Sequence, residues 1–258
     1  MNQKERRIWL IRRLLQENPS CRSLPVPKDE SGQRRLLRSL MNIRMPGWPE
    51  EEFLQVQDAY LQEEVKNRGI VKLSDIRILR DGIRLWHGDI TTLACDAIVN
   101  AANSGMTGCY QPCHSCIDNC IHTFAGVQLR ARCAEIMNAQ RYAEPTGQAK
   151  ITPAYNLPCD SVIHTVGPIV QGPLTRQHCD QLASCYRSCL QLADQNGIGS
   201  IAFCCISTGV FCFPNQKAAE IAVETVTEYL AETKSNIEVI FNVFQEQDEE
   251  IYRRLLQQ

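Results

Sequence analysis

No stretch of this 258-residue chain approaches the run of about 18 apolar residues that a membrane-spanning helix needs. Charge of one sign is also missing. The formal net charge is −2, so no broad field exists to capture a polyanion, and nucleic acid is not an expected partner. The opening MNQKERRIWLIRRLLQ lacks a continuous apolar core and mixes an acidic residue with basic ones, so it reads as an amphipathic helix and not as an export or transit segment. Internal repeats and low-complexity tracts are lacking too, which sets aside solenoids and linker-rich arrays.

What the chain has in excess is cysteine, with 14 residues. A chain of this length does not need disulfides as its main staple, and the expected compartment is a reducing cytoplasm. There, scattered cysteines act as small core hydrophobes, while clustered ones point to metal or catalysis. The length allows one large domain, or one domain with an appendage.

Two grammars divide the sequence. Residues 1–72 read as helices with irregular connectors: Ile8, Leu10, Ile11, Leu14 and Leu15 form one apolar stripe, Leu36, Leu37, Leu40 and Met41 a second, and Phe53, Val56, Ala59, Tyr60 and Val65 a third. Pro25, Pro27, Pro46 and Pro49 punctuate them. This segment carries little apolar area for independent folding and reads as a helical extension docked on the remainder of the chain. Residues 73–258 alternate strands with helices. Short Ile- and Val-rich runs at 83–86, 97–99, 161–166, 200–204 and 238–243 suit buried strands, and Leu182, Cys185, Tyr186, Cys189 and Ala193 share one helical face, as do Ala218, Ile221, Ala222, Val226 and Tyr229. That alternation predicts an α/β sheet with helices on both faces and a ligand site in the loops beyond the carboxyl ends of strands.

Three loops stand in such positions. In His87-Gly-Asp-Ile-Thr91, Asp89 is a candidate acceptor for an exocyclic amine; the plainer alternative is a turn in which Asp89 caps a neighbouring amide. In Ser207-Thr-Gly-Val-Phe-Cys-Phe-Pro214, small residues expose consecutive N–H groups ahead of a helix, so a pyrophosphate can be held without any lysine. A purely structural turn is the alternative there.

The third loop is NAANSGMTGCYQPCHSCIDNCIH, residues 100–122, which packs four cysteines, two histidines and one aspartate. Cys109, His114 and Cys116 offer two thiolates and an imidazole, a set that suits zinc with a fourth position left open for water or substrate. Cys113 and Cys120 are rivals, since Cys113-x-x-Cys116 is a zinc spacing and Cys116 and Cys120 lie one helical turn apart. Four thiolates would make a closed structural site; a redox dithiol and inert thiols are further alternatives. Asp118 and His122, four apart on a helix beginning at Ile117, share one face. Asn100 and Asn103 bracket two alanines in what reads as a turn, where an amide can grip sugar hydroxyls.

Taken in order, Gly88-Asp-Ile-Thr, Val99-Asn-Ala-Ala-Asn103, His164-Thr-Val-Gly-Pro168, Ser207-Thr-Gly-Val-Phe211 and Val239-Ile-Phe-Asn-Val-Phe244 resemble the macrodomains, ADP-ribose-binding proteins. The resemblance covers about residues 73–258 and implies a three-layer α/β/α macrodomain with a mixed central sheet, preceded by the helical extension. Where that family commonly has a Gly-Gly-Gly run, this chain has Gly108-Cys-Tyr-Gln-Pro-Cys-His-Ser-Cys116. With the extension, this departure is similar to the zinc-dependent macrodomains, protein ADP-ribosylhydrolases linked in microbes to sirtuin-type ADP-ribosyltransferases. Ile117-Asp-Asn-Cys-Ile-His122 resembles the helix start of the MacroD-type hydrolases, whose Asp assists catalysis, so Asp118 takes that role here.

The resemblance further implies that Asp89 and Ile90 meet the adenine, that Phe244 flanks its ring, and that Ser207, Thr208, Gly209, Val210 and Phe211 wrap the pyrophosphate. Asn103 holds the distal ribose and is a catalytic candidate beside Asp118, and Zn2+ sits on Cys109, His114 and Cys116. The expected activity is removal of ADP-ribose from a modified protein side chain, with an Asp or Glu ester favoured because a carboxylate leaves with little protonation. The metal would either orient the sugar or acidify a water from about 15.7 toward about 7. A non-catalytic ADP-ribose reader with a structural zinc is the alternative.

Overall fold

The three apolar stripes of the N-terminal segment become three helices, α1 (Gln3–Glu17), α2 (Glu30–Ile43) and α3 (Glu51–Arg68), in a computed structural model that describes residues 1–257. Local chemistry starts them. Asn2 and Glu5 form a reciprocal capping box at α1, and Asp29 accepts from the Gly32 amide at α2. The stripes then meet: Leu10, Ile11, Leu14, Leu37, Leu40, Phe53 and Val56 bury one another in a small core of their own, to which the rest of the chain contributes Val127. The extension is therefore a folded unit with its own apolar centre as well as a docked appendage.

Gly69, at φ +89, turns the chain out of α3. β1 (Val71–Lys72) pairs with β4 (Leu93–Ala94). The main sheet follows from the Ile- and Val-rich runs: β2 (Ile78–Arg80), β3 (Ile83–His87), β5 (Ala97–Ala102), β6 (Ala149–Pro153), β7 (Ser161–Val166), β8 (Ser200–Phe203) and β9 (Glu238–Val243). Their order is β2-β3-β9-β8-β5-β7-β6, with β3, β9, β8, β5 and β7 parallel and the two edge strands antiparallel. The central strands β5, β7, β8 and β9 are buried almost throughout, which is why they read as largely apolar runs, whereas β3, next to the edge, is mostly half-buried.

The connections are the helices α4 (Ile117–Ala125), α5 (Val127–Gln140), α6 (Arg176–Gln195) and α7 (Asn215–Thr233), with α8 (Glu246–Leu256) closing the chain. From β5 the chain steps to β7 on one side, then jumps back across β5 to β8 and on to β9. The helices pack in two groups, α4 with α5 and α6, α7 and α8 with one another, as expected when crossovers of the usual right hand run in opposite directions along a sheet. The reversal leaves a crevice beyond the carboxyl ends of β5 and β8. The extension docks by α2 and α3 against α4, next to that crevice.

Candidate active site

β5 carries the Asn100-Ala-Ala-Asn103 segment into the crevice. The sequence suggests a turn there; instead residues 100–102 remain in the strand, so Asn100 is sealed inside and Asn103 stands at the strand's end. The physical reason is the flanking pairing, since Asn100 is the register partner of His164 on β7 and the ladder continues to Ala102. Asn100 Nδ2 donates to Asp118 Oδ1 at 2.8 Å and to His164 Nδ1 at 3.2 Å. With Nδ1 accepting, His164 carries its proton on Nε2 and donates to Thr152 Oγ1 at 2.9 Å. Asn103 Nδ2 donates to Asp118 Oδ2 at 3.3 Å and to the Gly108 carbonyl at 3.1 Å. Two amides thus hold the two oxygens of one carboxylate.

Asp118 lies in the first turn of α4, where the helix dipole favours an anion. It is only 5% exposed, and burial pushes its pKa up to about 6 against the hydrogen bond from Asn100, the charge of Arg130 and the hydrogen bond from Asn103. His122, one turn on, is buried with its Nε2 3.5 Å from Asp118 Oδ1, and neither ring nitrogen has a hydrogen-bond partner among the described residues. Burial, then the neighbouring His164 and Arg130, holds its pKa well below the usual imidazole range. Gly108, at φ +84, lets the chain pass directly over this helix: a Cβ there would meet the His122 ring at 3.0 Å and Arg130 at 3.1 Å.

Beyond Gly108, the ligand atoms of Cys109, His114 and Cys116 lie within 4.8 Å of one another. Cys109 Sγ is 3.6 Å from His114 Nδ1. Zinc bonds of about 2.3 Å to sulfur and about 2.0 Å to nitrogen subtend a tetrahedral edge of about 3.5 Å, so this separation fits the ion. Cys113 does not join the set. At φ +54 its thiol turns to α2, 3.2 Å from Ser39 Oγ and 3.4 Å from the Arg35 carbonyl. Cys120 instead receives a contact from Arg38 Nη2 at 3.4 Å, so the thiolate-only arrangement is not formed. All cysteines are free thiols among the described residues. Cys116 caps α4 and accepts from the Asn119 amide; burial pushes its thiol up to about 12 against that hydrogen bond.

The remaining predicted residues line the same end of the sheet. Asp89, just past β3, caps a short turn at Ile90 by accepting from the Thr91 amide at 3.0 Å, as the plainer alternative has it. Its other oxygen pairs with Arg68 Nη1 of α3 at 2.8 Å, and that guanidinium lies 3.7 Å over the Phe124 ring. Ile90 is buried. After β8, Ser207 adopts φ +67 with its Oγ buried and unpartnered, Thr208 Oγ1 bonds the Cys205 carbonyl, and the amides of Gly209, Val210 and Phe211 donate to no acceptor among the described residues. Val210 and Phe244, on the loops after β8 and β9, are 68% and 74% exposed.

Sequence reasoning missed Arg38 and Asn42 of α2, Asn119 of α4, and the Thr152–His164–Asn100 chain behind Asp118. Each contact of Arg38 and Asn42 with the cysteine loop or α4 bridges 71 to 82 residues, so no local spacing signals it. The Asn100–His164 pair was accessible in principle, from the alignment of two adjacent predicted strands.

The molecule is thus a mixed sheet between helical layers, with its site at a strand-order reversal and a carboxylate gripped by two asparagines. The chain belongs to the macro domain family, whose pattern it matches over residues 99–222. It is 60% identical to the protein-ADP-ribose hydrolase of Treponema medium, over 99% of this chain and 100% of that one. Identity to the Staphylococcus aureus (strain MSSA476) protein-ADP-ribose hydrolase is 49%, over 97% and 94%. Among solved structures, the Trypanosoma brucei macrodomain in complex with ADP-ribose superimposes with a TM-score of 0.66 at 29% identity, covering 85% of this chain and 94% of that chain. No helix among the described residues is long and apolar enough to cross a membrane.

Proposed function

We propose that this chain is a zinc-dependent protein-ADP-ribose hydrolase that cleaves the bond between C1″ of the distal ribose and a protein side chain, with an Asp or Glu ester as substrate. The observation that carries this reading is the junction at the start of α4. There Cys116, one of three clustered zinc-type donors, caps the helix, and two residues later Asp118 is held by Asn100 and Asn103. Identity with named hydrolases along essentially the whole chain, including the extension, supports it.

The residues divide the work by chemistry. Gly209, Val210 and Phe211 offer unpaired amides to the diphosphate, and Ser207 adds a buried hydroxyl without a partner. Phe244, an exposed aromatic ring, flanks the adenine, with Asp89 and Ile90 as its further contacts. Asp89 reaches the adenine amine only by sharing an oxygen already engaged by Thr91 or Arg68. Asn103, whose two Nδ2 hydrogens go to Asp118 and the Gly108 carbonyl, offers the distal ribose hydroxyls its Oδ1, which has capacity beyond the bond it accepts from the Gly105 amide.

Cys109, His114 and Cys116 would hold zinc, which when bound supplies a Lewis acid beside the sugar. Asp118 takes a proton from the water that attacks C1″, or stabilises the cationic character that develops on the sugar. The C1″–oxygen bond breaks, the protein carboxylate leaves with the bonding electrons, and free ADP-ribose is the second product. A sirtuin-type ADP-ribosyltransferase in the cytoplasm is the proposed source of the modification. The test is release of free ADP-ribose from a mono-ADP-ribosylated protein at catalytic enzyme levels, with the metal content of the purified protein measured in parallel. Stoichiometric binding of ADP-ribose without turnover would leave a reader module in its place.

A further inference from the structure

The extension reaches the cysteine loop through one face of α2. Arg35, Arg38, Ser39 and Asn42, spaced by three and four residues, lie together on that helix. Arg38 Nη2 donates to the His114 carbonyl at 2.8 Å and to Asn119 Oδ1 at 3.0 Å. With Oδ1 committed to Arg38, the Asn119 side chain must present Nδ2 to the loop, where it donates to the carbonyls of Gln111 at 3.0 Å and Cys109 at 3.4 Å. The Asn119 backbone amide meets Cys116 Sγ at 3.4 Å. Every member of the Cys109, His114 and Cys116 trio is thereby tied to the Arg38–Asn119 pair. Asn119 is fully buried, so this amide has no water to fall back on. Asn42 completes the brace: its Oδ1 accepts from the Cys113 amide at 2.8 Å, at the residue where the loop turns through positive φ.

We propose that the helical extension is a brace for the metal loop, with Arg38 as a positioning residue that fixes Asn119 and through it the three donors, so that the extension sets how firmly zinc is held. This rests on the metal reading above and adds to it a role for α2. The ligand loop of eight residues carries no helix or strand of its own, and its internal bonds are few and long, from the Gln111 amide to Cys109 Sγ at 3.4 Å and from the His114 amide to the Gln111 carbonyl at 3.3 Å, so its convergence leans on the partners behind it. Partners that orient ligating groups from behind are worth 10- to 100-fold in metal affinity, on the order of what a missing Arg38 should remove.

The test uses the full chain. Zinc affinity is measured by competition with a colorimetric chelator, and ADP-ribose affinity by calorimetry. Arg38→Met keeps the apolar stem and removes every donor. Zinc should bind about 10- to 100-fold more weakly, ADP-ribose affinity should stay within about twofold because its loops lie elsewhere, and Arg38→Lys should fall between Met and the parent chain. Should Arg38→Met fail to fold, Asn119→Asp carries the same test, since it keeps the acceptor for Arg38 but loses both donors to the loop. Parental zinc affinity in either variant overturns the brace while leaving the metal reading intact. A parent chain that retains no zinc overturns both.

Discussion

Two loops at the same end of the sheet keep their shape in opposite ways. Residues 207–213 are braced mostly from within: the Phe213 amide donates to the Ser207 carbonyl and Cys212 to Gly209, and a single main-chain bond comes from outside, from the Val170 amide to the Phe211 carbonyl. Residues 109–116 draw their order largely from outside, from Arg38, Asn42 and Asn119. A site made of main-chain N–H groups needs only a backbone path, whereas one made of side chains needs each donor's direction fixed by something else. The first loop can therefore be built by any strand and helix that flank it. The second requires a scaffold, and the extension is placed to serve as one.

The sharpest way to break this division is to remove the metal donors and ask what survives. Cys116→Ala, or stripping with a chelator, should abolish turnover, a loss of at least about 10³-fold given the several kcal/mol a Lewis acid supplies. ADP-ribose affinity, which the proposal assigns to the loop at 207–213, should change by only a few-fold in calorimetry. Full turnover in protein verified to be metal-free would end the zinc assignment. Next in size is Asp118→Ala. Loss of a positioned proton acceptor should slow turnover by about 10²- to 10⁴-fold. The same change strands the Asn100 and Asn103 donors, and denaturant unfolding should show about 1–3 kcal/mol less stability. Unchanged turnover would shift the chemistry elsewhere in the crevice.

How far the sequence could be read follows the same line. The inner strands were legible because burial on both faces leaves apolar runs, and β7 and β9 begin and end where those runs do. The three N-terminal stripes are legible as helices for a different reason, burial of one face at helical spacing, but not as a unit with its own core, because periodicity shows which side of a helix is buried and not what covers it. The edge strands β2 and β6 escaped notice: with one unpaired side each, they carry the mixed pattern Ile-Leu-Arg and Ala-Lys-Ile-Thr-Pro. At the site, Cys109, His114, Cys116 and Asp118 stood out because their chemistry is crowded into one segment. Arg38 and Asn42 did not, since a charged or polar residue on an amphipathic helix looks the same whether it faces water or braces a loop. Asn100 reads as a turn residue, because two asparagines around two alanines have the composition of a turn, while the strand pairing that overrides it lies 64 residues away.

The self-braced loop can be probed from its open side. A Cβ built on Gly209 meets no atom within 4 Å, so Gly209→Val should leave stability within about 0.5 kcal/mol of the parent. The new side chain would occupy the space above the free amides, and ADP-ribose affinity should fall about tenfold, ~1.4 kcal/mol. Zinc affinity should not move. A Gly209→Val variant that binds ADP-ribose as tightly as the parent would show that these amides are not where the diphosphate rests.

The smallest expected effect concerns the support behind Asp118, which belongs to the sheet and owes nothing to the extension. Burial holds His164 down at about 3, with Asn100 and Thr152 bonded to its ring nitrogens, Cys133 Sγ 3.8 Å away, and the His122 ring at a centroid distance of 6.3 Å. Above pH about 7.5 the imidazole is essentially neutral in both folded and unfolded chains and makes no contribution to pH dependence. As pH falls from about 6.5 toward 3, the unfolded chain takes up a proton that the folded chain refuses, so stability drops by up to ~1.4 kcal/mol per unit from this group. His164→Gln, though less stable at pH 7.5 for losing a buried partner, should therefore lose Tm more gradually than the parent between pH 6.5 and 5. Equal slopes would mean that His164 is protonated within the fold. Its Nδ1 could then no longer accept from Asn100, and the amide that steadies Asp118 would have to turn.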